Sequence, residues 1–156
     1  MEIKSEQFLK EIAGSDILCI DSPVLIYHLE KVKPYDELTR ILIKKIADNQ
    51  TSCIISALTI TELLTKPFRL KDDKKIALFE EFIGSLPNTT VKSIDYEISK
   101  KAASLRADYN LRTPDSLILS TAVKTGSKLF ITNYIALKKI KTDNLKILIL
   151  DDYLGS

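Results

Sequence analysis

Hydrophobic positions along the chain fall into short unbroken runs and longer stretches in which apolar residues recur every three or four positions. The unbroken runs predict buried β-strands, and the periodic stretches predict amphipathic helices. Four strands are clear and a fifth is weaker: residues 17–21, 52–56, 129–132, 146–150 and, less marked, 90–94. Strands that alternate with helices favour an α/β domain with a mainly parallel sheet.

Capping residues, prolines and glycines mark where these helices begin and end. The signals are an N-cap at Ser22 before Pro23, a helix end at Pro67, a cap at Asp95, a helix start at Thr113-Pro114 and a helix end at Gly126. No linker-like stretch interrupts the pattern, so residues 1–156 are predicted to form a single domain.

Composition and charge exclude only a few classes of protein. Apolar residues make up 45% of the chain and charged residues 28%, which is typical of a globular protein. The net charge of +2 is too small to indicate a polyanion partner, so nucleic-acid binding must be sought in local sites. Cys19 and Cys53 lie in apolar runs and are predicted to be buried and reduced. With no signal-peptide pattern and no run long enough to span a membrane, we expect a cytoplasmic protein.

Three carboxylates are predicted to meet at one edge of the sheet. Asp21 ends the first strand, and Glu62 lies near the start of the helix that follows the second strand. Asp115 occupies the second position of the Thr113-Pro114 helix. The carboxyl ends of parallel strands share an edge where ligands bind. The strands place Asp21 and Glu62 there, and the start of its helix is expected to bring Asp115 to the same edge.

Carboxylates that converge without a nearby base repel one another, and a bound cation relieves that repulsion. Oxygen ligands that leave positions for water are typical of Mg²⁺ or Mn²⁺. Such a metal activates a water molecule and neutralises charge on a phosphate. The pattern therefore favours a divalent-cation site formed by Asp21, Glu62 and Asp115, with a bound metal ion that could activate water next to a phosphate.

Each acid also has a structural interpretation. Thr59 and Glu62 match a capping box, in which Glu62 returns to the backbone N–H of Thr59. Asp115 would be stabilised by the dipole of its helix without any ligand. Asp21 follows four apolar residues and needs a partner if it is half-buried.

Several segments resemble the PIN-domain nucleases, and among them the VapC-type toxins and their stand-alone bacterial cousins. These segments are ILCIDSPVLIYHLE, SALTITELL, RTPDSLILSTAVKTGSKLFITN and KILILDDY. Together they extend from about Ile17 to Tyr153. Their order carries the resemblance: an Asp that ends strand one, a Glu that opens a helix after strand two, and Pro-Asp-Ser-Leu-Ile before a strand that ends in Thr-Asn.

The resemblance implies a three-layer α/β/α fold with a central, mostly parallel five-stranded sheet. It implies an endoribonuclease that uses Mg²⁺ or Mn²⁺, forms a homodimer and, as the toxin of a type II toxin–antitoxin system, is held inactive by a small antitoxin protein. By matching position, the metal-binding and catalytic residues are Asp21, Glu62 and Asp115. The supporting residues are Ser22, Thr132 and Asn133.

One position departs from the family pattern. Members of the family commonly carry a fourth acid two residues after the threonine, where this chain has Tyr134. Asp143 and Asp151 lie nine or more residues later in the sequence than Tyr134, and neither is expected to substitute for that acid. The hypothesis that follows is an enzyme with one well-held Mg²⁺ or Mn²⁺ ion, or a slow enzyme.

Histidine and basic residues complete the search for functional groups. His28 is the only histidine, which excludes a Ser-His-Asp triad. Arg112, three residues before Asp115, is the best candidate for binding the phosphates of an RNA backbone. Lys66 and Arg69, which follow Glu62 on its helix, are further candidates for the same role. The default role of such charges is a solvated surface.

Three functions remain open at this point. The first is a metal-dependent ribonuclease that acts on single-stranded or structured RNA. The alternative, which Tyr134 favours, is a catalytically weakened PIN-fold module that binds RNA or a protein. A phosphoacceptor domain of the receiver type ranks third, because its lysine at the end of the last strand is missing here.

Overall fold

The computed structural model describes residues 3–155. Its helices are α1 (Ser5–Ala13), α2 (Ser22–Leu29), α3 (Tyr35–Ala47), α4 (Ala57–Arg69), α5 (Asp73–Ser85), α6 (Tyr96–Tyr109) and α7 (Thr113–Lys124). Its strands are β1 (Ile17–Ile20), β2 (Ser52–Ser56), β3 (Thr89–Lys92), β4 (Leu129–Thr132) and β5 (Lys146–Ile149). Two short 3₁₀ helices follow β4 and β5, at Ile135–Lys139 and Leu150–Tyr153. The five expected strands are therefore present, with ends that shift by at most two residues.

The five strands form one sheet in the order β3-β2-β1-β4-β5, and every neighbouring pair is parallel. From the central β1, the chain first builds the sheet toward β3 and then crosses over to add β4 and β5 on the other side. The carboxyl ends of β1 and β4 thus flank the point at which the strand order reverses. Open parallel sheets bind ligands in the crevice at this switch point.

Successive residues of a strand point to opposite faces of a sheet, and the core divides accordingly. Leu18 and Ile20 pack into one buried cluster, together with residues of α1, α2 and α3. Cys19 packs into a second cluster, with residues of α6 and α7. Helices therefore cover both faces of the sheet, which confirms the three-layer α/β/α prediction.

The two cysteines are buried free thiols, as their apolar surroundings predict. Cys19 belongs to one hydrophobic cluster and Cys53 to the other. Burial raises the pKa of both thiols, that of Cys53 to about 12, so neither is a reactive thiolate at neutral pH.

Two of the predicted helix boundaries are wrong. Pro67 lies inside α4, and the helix continues to Arg69. A proline so close to the helix end removes only its own N–H bond, and the remaining turn still closes through the bond from the Leu70 N–H to the Lys66 carbonyl. At α2 the N-cap is Asp21, not Ser22, and Asp21 Oδ1 accepts the Ser22 N–H at 2.8 Å.

Between residues 3 and 155, none of the helices combines the length and the apolar character that crossing a membrane requires.

Candidate metal centre and active site

The three predicted acids line one cleft at the carboxyl edge of the sheet. Asp21 directly follows β1, Glu62 lies in the second turn of α4, and Asp115 lies in the first turn of α7. The cleft has a volume of about 420 Å³. Its lining consists of Asp21, Ser22, Pro23, Ile26, Glu62, Arg112, Asp115, Asn133 and Tyr134.

Asp21 is the most deeply placed of the three, with 6% of its surface exposed. Burial raises the pKa of its carboxyl to about 6, and the charges of Glu62 and Asp115 add to that rise. Hydrogen bonds from the Thr132 hydroxyl and the Ser22 N–H act in the opposite direction. The repulsion expected from the sequence is thus present, and one acid of the cleft is poised to titrate close to neutral pH.

Glu62 is held by a side chain from α2. The Ser22 hydroxyl donates to Glu62 Oε1 at 2.6 Å, and Ser22 Oγ also lies 3.1 Å from Oγ1 of Thr59. Ser22 has a single hydroxyl proton, and we assign it to the shorter bond to the charged acceptor. The Thr59 hydroxyl then donates to Ser22.

The capping-box interpretation of Glu62 is therefore wrong. Helix α4 begins at Ala57, and its N-cap is Ser56, whose Oγ accepts the Leu58 N–H at 3.2 Å. Thr59 is consequently a buried residue of the first turn and does not cap the helix. The carboxylate of Glu62 is free to point toward α2 and the cleft.

Asp115 forms an ion pair within its own helix start. Arg112 Nε donates to Asp115 Oδ2 at 2.9 Å, and Arg112 Nη2 lies 3.4 Å from Asp115 Oδ1. The Asp115 side chain is 14% exposed, whereas the Arg112 side chain is 72% exposed. Asp115 and its hydrogen bonds raise the pKa of the Arg112 guanidinium, which stays charged. Asp115 is therefore stabilised by the ion pair with Arg112 as well as by the dipole of its helix.

The supporting residues Thr132 and Asn133 have different environments. The Thr132 hydroxyl donates to Asp21 Oδ2 at 2.7 Å and accepts the backbone N–H of Tyr134 at 3.1 Å. The Asn133 side chain accepts the Asp151 N–H at 2.8 Å and donates to the Tyr27 hydroxyl at 3.2 Å. Thr132 therefore acts directly on an acid of the cleft, while Asn133 joins the end of β4 to the end of β5.

Asp151 forms contacts that sequence reasoning did not anticipate. Its Oδ1 accepts the Tyr35 hydroxyl at 2.6 Å and lies 3.4 Å from the amide nitrogen of Asn133. Tyr35 in turn stacks on Tyr27 with ring centroids 4.2 Å apart. Asp151 thus lies beside the cleft without lining it. The closing sequence Asp-Asp-Tyr after an apolar strand indicates an acid at the end of β5. Asp151 and Asn133 are far apart in the sequence, so the sequence does not show that the two residues are close in space.

The predicted RNA-binding residues do not lie together. Arg112 lines the cleft, while Lys66 and Arg69 lie in the exposed last turn of α4, outside the lining. Lys66 is one helical turn beyond Glu62, so its side chain lies on the same side of α4 as Glu62. His28 is also remote from the lining, and its Nδ1 lies 3.1 Å from the Thr39 hydroxyl.

The side chains fit a hard divalent cation in donor type and in their placement around one cleft. Within residues 3–155, however, no three His, Cys, Asp or Glu side chains are arranged so that they could hold a metal ion. Ser22 donates to Glu62 Oε1, and Arg112 Nε donates to Asp115 Oδ2. A shared cation would bind through the carboxylate lone pairs that these donors leave free, and at Asp115 it would also be repelled by the positive charge of Arg112.

A family model and several solved structures are similar to this chain. The family model described as PIN domain matches residues 18–141, and no curated protein matches the sequence. A chain of the DNA-bound VapBC structure from Salmonella typhimurium is 20% identical, with a TM-score of 0.67 over 85% of this chain and 97% of that one. A chain of VapBC2 from Rickettsia felis, bound to a promoter DNA fragment, is 18% identical, with a TM-score of 0.65 over 85% and 98%.

A third solved structure is VapC20 from Mycobacterium tuberculosis, described as a sarcin-ricin loop cleaving toxin. It is 10% identical, with a TM-score of 0.58 over 72% of this chain and 86% of that one. At these identities the structures show a shared fold, and the family match covers well over half of the sequence. The chain belongs to the PIN-domain family.

Proposed function

We propose that this chain is an endoribonuclease that depends on Mg²⁺ or Mn²⁺ and that residues 1–156 form one catalytic domain. The observation that carries the proposal is the convergence of Asp21, Glu62 and Asp115 on one cleft at the switch point of a parallel sheet. PIN nucleases generally use divalent metal ions, and one solved structure of this fold is described as a sarcin-ricin loop cleaving toxin.

Each residue then has a defined role. Asp21, Glu62 and Asp115 supply the oxygen ligands, and a bound cation would activate water and neutralise charge on the phosphate. Thr132 and Ser22 hold Asp21 and Glu62 in place through their hydroxyls. Arg112 contacts the phosphate backbone next to the metal, and Lys66 and Arg69 extend that contact along α4. Asn133 fixes the end of β4 against β5.

The test is cleavage of a labelled single-stranded RNA and of a structured hairpin RNA with Mg²⁺, Mn²⁺ or EDTA. Asp115→Asn retains the size of the side chain but removes its charge, so it is expected to lose at least about 100-fold in rate. Asp143→Asn, a change outside the cleft lining, is the matched control and is expected to cleave normally. Equal cleavage by Asp115→Asn and the parent protein would refute the proposal.

A second function is favoured by the pairing of the acids with protein donors. Glu62 and Asp115 already have partners, and Tyr134 stands where the family commonly has an acid. A PIN-fold module that binds RNA or a protein without cutting would show these features. RNA binding without cleavage under either metal would select this function.

We also propose a small antitoxin as partner and a homodimer as the assembled form, in the cytoplasm. Structures of the same fold include VapBC complexes, and Phe68 and Leu70 are large apolar side chains exposed at the end of α4. Co-expression with any short open reading frame that lies directly upstream, followed by light scattering, tests both. A monomer that captures no such product would overturn this part.

A further inference from the structure

The side chains of Arg112 and Tyr134 meet at the mouth of the cleft. The guanidinium carbon of Arg112 lies 5.9 Å from the centre of the Tyr134 ring, within the range of a cation–π contact. Tyr134 is 39% exposed, and its backbone N–H donates to the Thr132 hydroxyl. Arg112 is therefore held from two sides, by a carboxylate and by an aromatic face.

The side chains that line the cleft carry a net negative charge, which Arg112 offsets only in part. When all three carboxyls are ionised, three negative charges and the positive charge of Arg112 leave the lining with a formal charge of −2. One divalent cation neutralises that charge, whereas a second would leave the cleft with an excess of +2. Charge balance thus favours one metal ion plus the guanidinium over two metal ions.

The guanidinium also retains unused donors. Asp115 takes its Nε and Nη2 groups, and no hydrogen bond within residues 3–155 involves Nη1. A planar guanidinium can hold a carboxylate through one edge and a phosphate through another. Arg112 therefore has the geometry to contact a phosphate without leaving Asp115.

We propose that the site takes a single divalent cation and that Arg112, positioned by the Tyr134 ring, supplies the second positive charge that contacts the RNA phosphate. This inference rests on the proposed ribonuclease function and specifies how the site performs it. Tyr134 is then a positioning residue that acts through Arg112.

The first experiment measures Mn²⁺ binding alone, without RNA, by electron paramagnetic resonance. The parent protein is expected to bind one Mn²⁺ per chain. Arg112→Gln removes a positive charge that competes for Asp115 and is expected to bind Mn²⁺ about two- to fivefold more tightly. Tyr134→Phe keeps the aromatic face and should match the parent, while Tyr134→Leu should shift in the direction of Arg112→Gln.

Lys124→Gln is the matched control for this titration, because it removes the same charge at the opposite end of α7 from Asp115, outside the cleft lining. Its Mn²⁺ affinity is expected to stay unchanged. Two Mn²⁺ ions of similar affinity in the parent, or equal Mn²⁺ affinity in Arg112→Gln and Lys124→Gln, would overturn the inference. Absence of Mn²⁺ binding would overturn both this inference and the proposed function.

The second experiment is rescue of RNA cleavage by a few millimolar guanidinium chloride. Arg112→Ala is expected to lose about 10- to 100-fold in rate and to regain part of it when guanidinium ions occupy the space between Asp115 and Tyr134. The double variant Arg112→Ala, Tyr134→Leu should not be rescued. Undiminished cleavage by Arg112→Ala, or equal rescue of both variants, would contradict the roles assigned here.

The two experiments separate the two proposals. If the parent protein does not cut RNA, the ribonuclease function fails together with the phosphate contact assigned to Arg112, and the Mn²⁺ titration still shows whether the cleft takes one cation beside Arg112. If cleavage occurs but the titration gives two equal metal ions, the function stands and the role of Arg112 falls.

Discussion

The hydroxyl of Thr132 donates a 2.7 Å hydrogen bond to Oδ2 of Asp21 and joins the last residue of β4 to the residue that follows β1. This bond favours the ionised carboxyl, and it opposes the effect of burial on the pKa of Asp21. The two neighbouring strands thereby control the charge of the deepest acid in the cleft.

Removal of that bond should change the pH dependence of cleavage. Thr132→Val keeps the shape of the side chain and is expected to raise the pKa of Asp21 further above its present value of about 6. The acid limb of the rate profile should then move to higher pH by about one pH unit. Cleavage rates from pH 5 to 8 at a fixed, subsaturating Mn²⁺ concentration, at which the proton and the metal ion compete for Asp21, test this, with Thr125→Val as control. An acid limb at the same pH in both variants would contradict it.

Asp21 should lower the stability of the metal-free protein at neutral pH. Its pKa is about 6 in the folded chain against an ordinary value of 3.8, so between these pH values the folded state binds the extra proton. Stability therefore falls as pH rises through this window, by an amount on the order of 3 kcal/mol. Above pH 6 the loss is complete.

Asp21→Asn removes this titration and should unfold at a higher temperature than the parent protein in EDTA at pH 7.5. The gain is expected to be about 1–2 kcal/mol, because asparagine has only one acceptor oxygen for the Ser22 and Thr132 donors. At pH 4.5 the advantage should largely disappear. Thermal unfolding at both pH values measures this, and a less stable variant at pH 7.5 would show that the charge of Asp21 is compensated.

Ser22 is expected to act through Glu62. Ser22→Ala removes the 2.6 Å hydrogen bond to Oε1 and leaves Glu62, an exposed side chain, free to rotate. Cleavage should fall about 3- to 10-fold, because the freely rotating Glu62 carboxylate must be ordered each time a metal ion binds. Ser22→Thr keeps the hydroxyl and should retain most of the rate; equal losses in both variants would point to packing instead.

Asp151 is expected to be structural. Asp151→Asn should keep Mn²⁺ affinity within about twofold, because its carboxylate lies outside the cleft lining, and should lose about 1 kcal/mol of stability from the weakened bond to Tyr35. Calorimetric Mn²⁺ titration and urea unfolding measure the two effects. A large loss of Mn²⁺ affinity would instead identify Asp151 as the substitute for the missing acid.

The strands and the family could be predicted from the sequence because local signals determine them. Unbroken apolar runs such as 129–132 are typical of strands buried on both faces, and the position of Asp21 follows from the end of the first strand. The same holds for α6, where Asp95 caps the helix through the Ile98 N–H as its position indicates.

The partners of the acids could not be predicted in the same way, because they come from other elements. Nothing local to Thr59 shows that the N-cap of α4 lies three residues earlier, at Ser56, which releases Glu62 toward Ser22 on α2. The approach of Asp151 to Asn133 likewise depends on how β4 and β5 pair. Pro67 does not end α4, because a proline near a helix end is tolerated when its own missing N–H is the only bond lost.

Asp21 lines the cleft and is also the N-cap of α2, because its Oδ1 accepts a 2.8 Å hydrogen bond from the Ser22 N–H. The amide proton of Ser22 is therefore a built-in spectroscopic sensor. Its NMR resonance should follow the charge on Asp21 with no label in the cleft, so protonation and metal loading can be observed at a single backbone position.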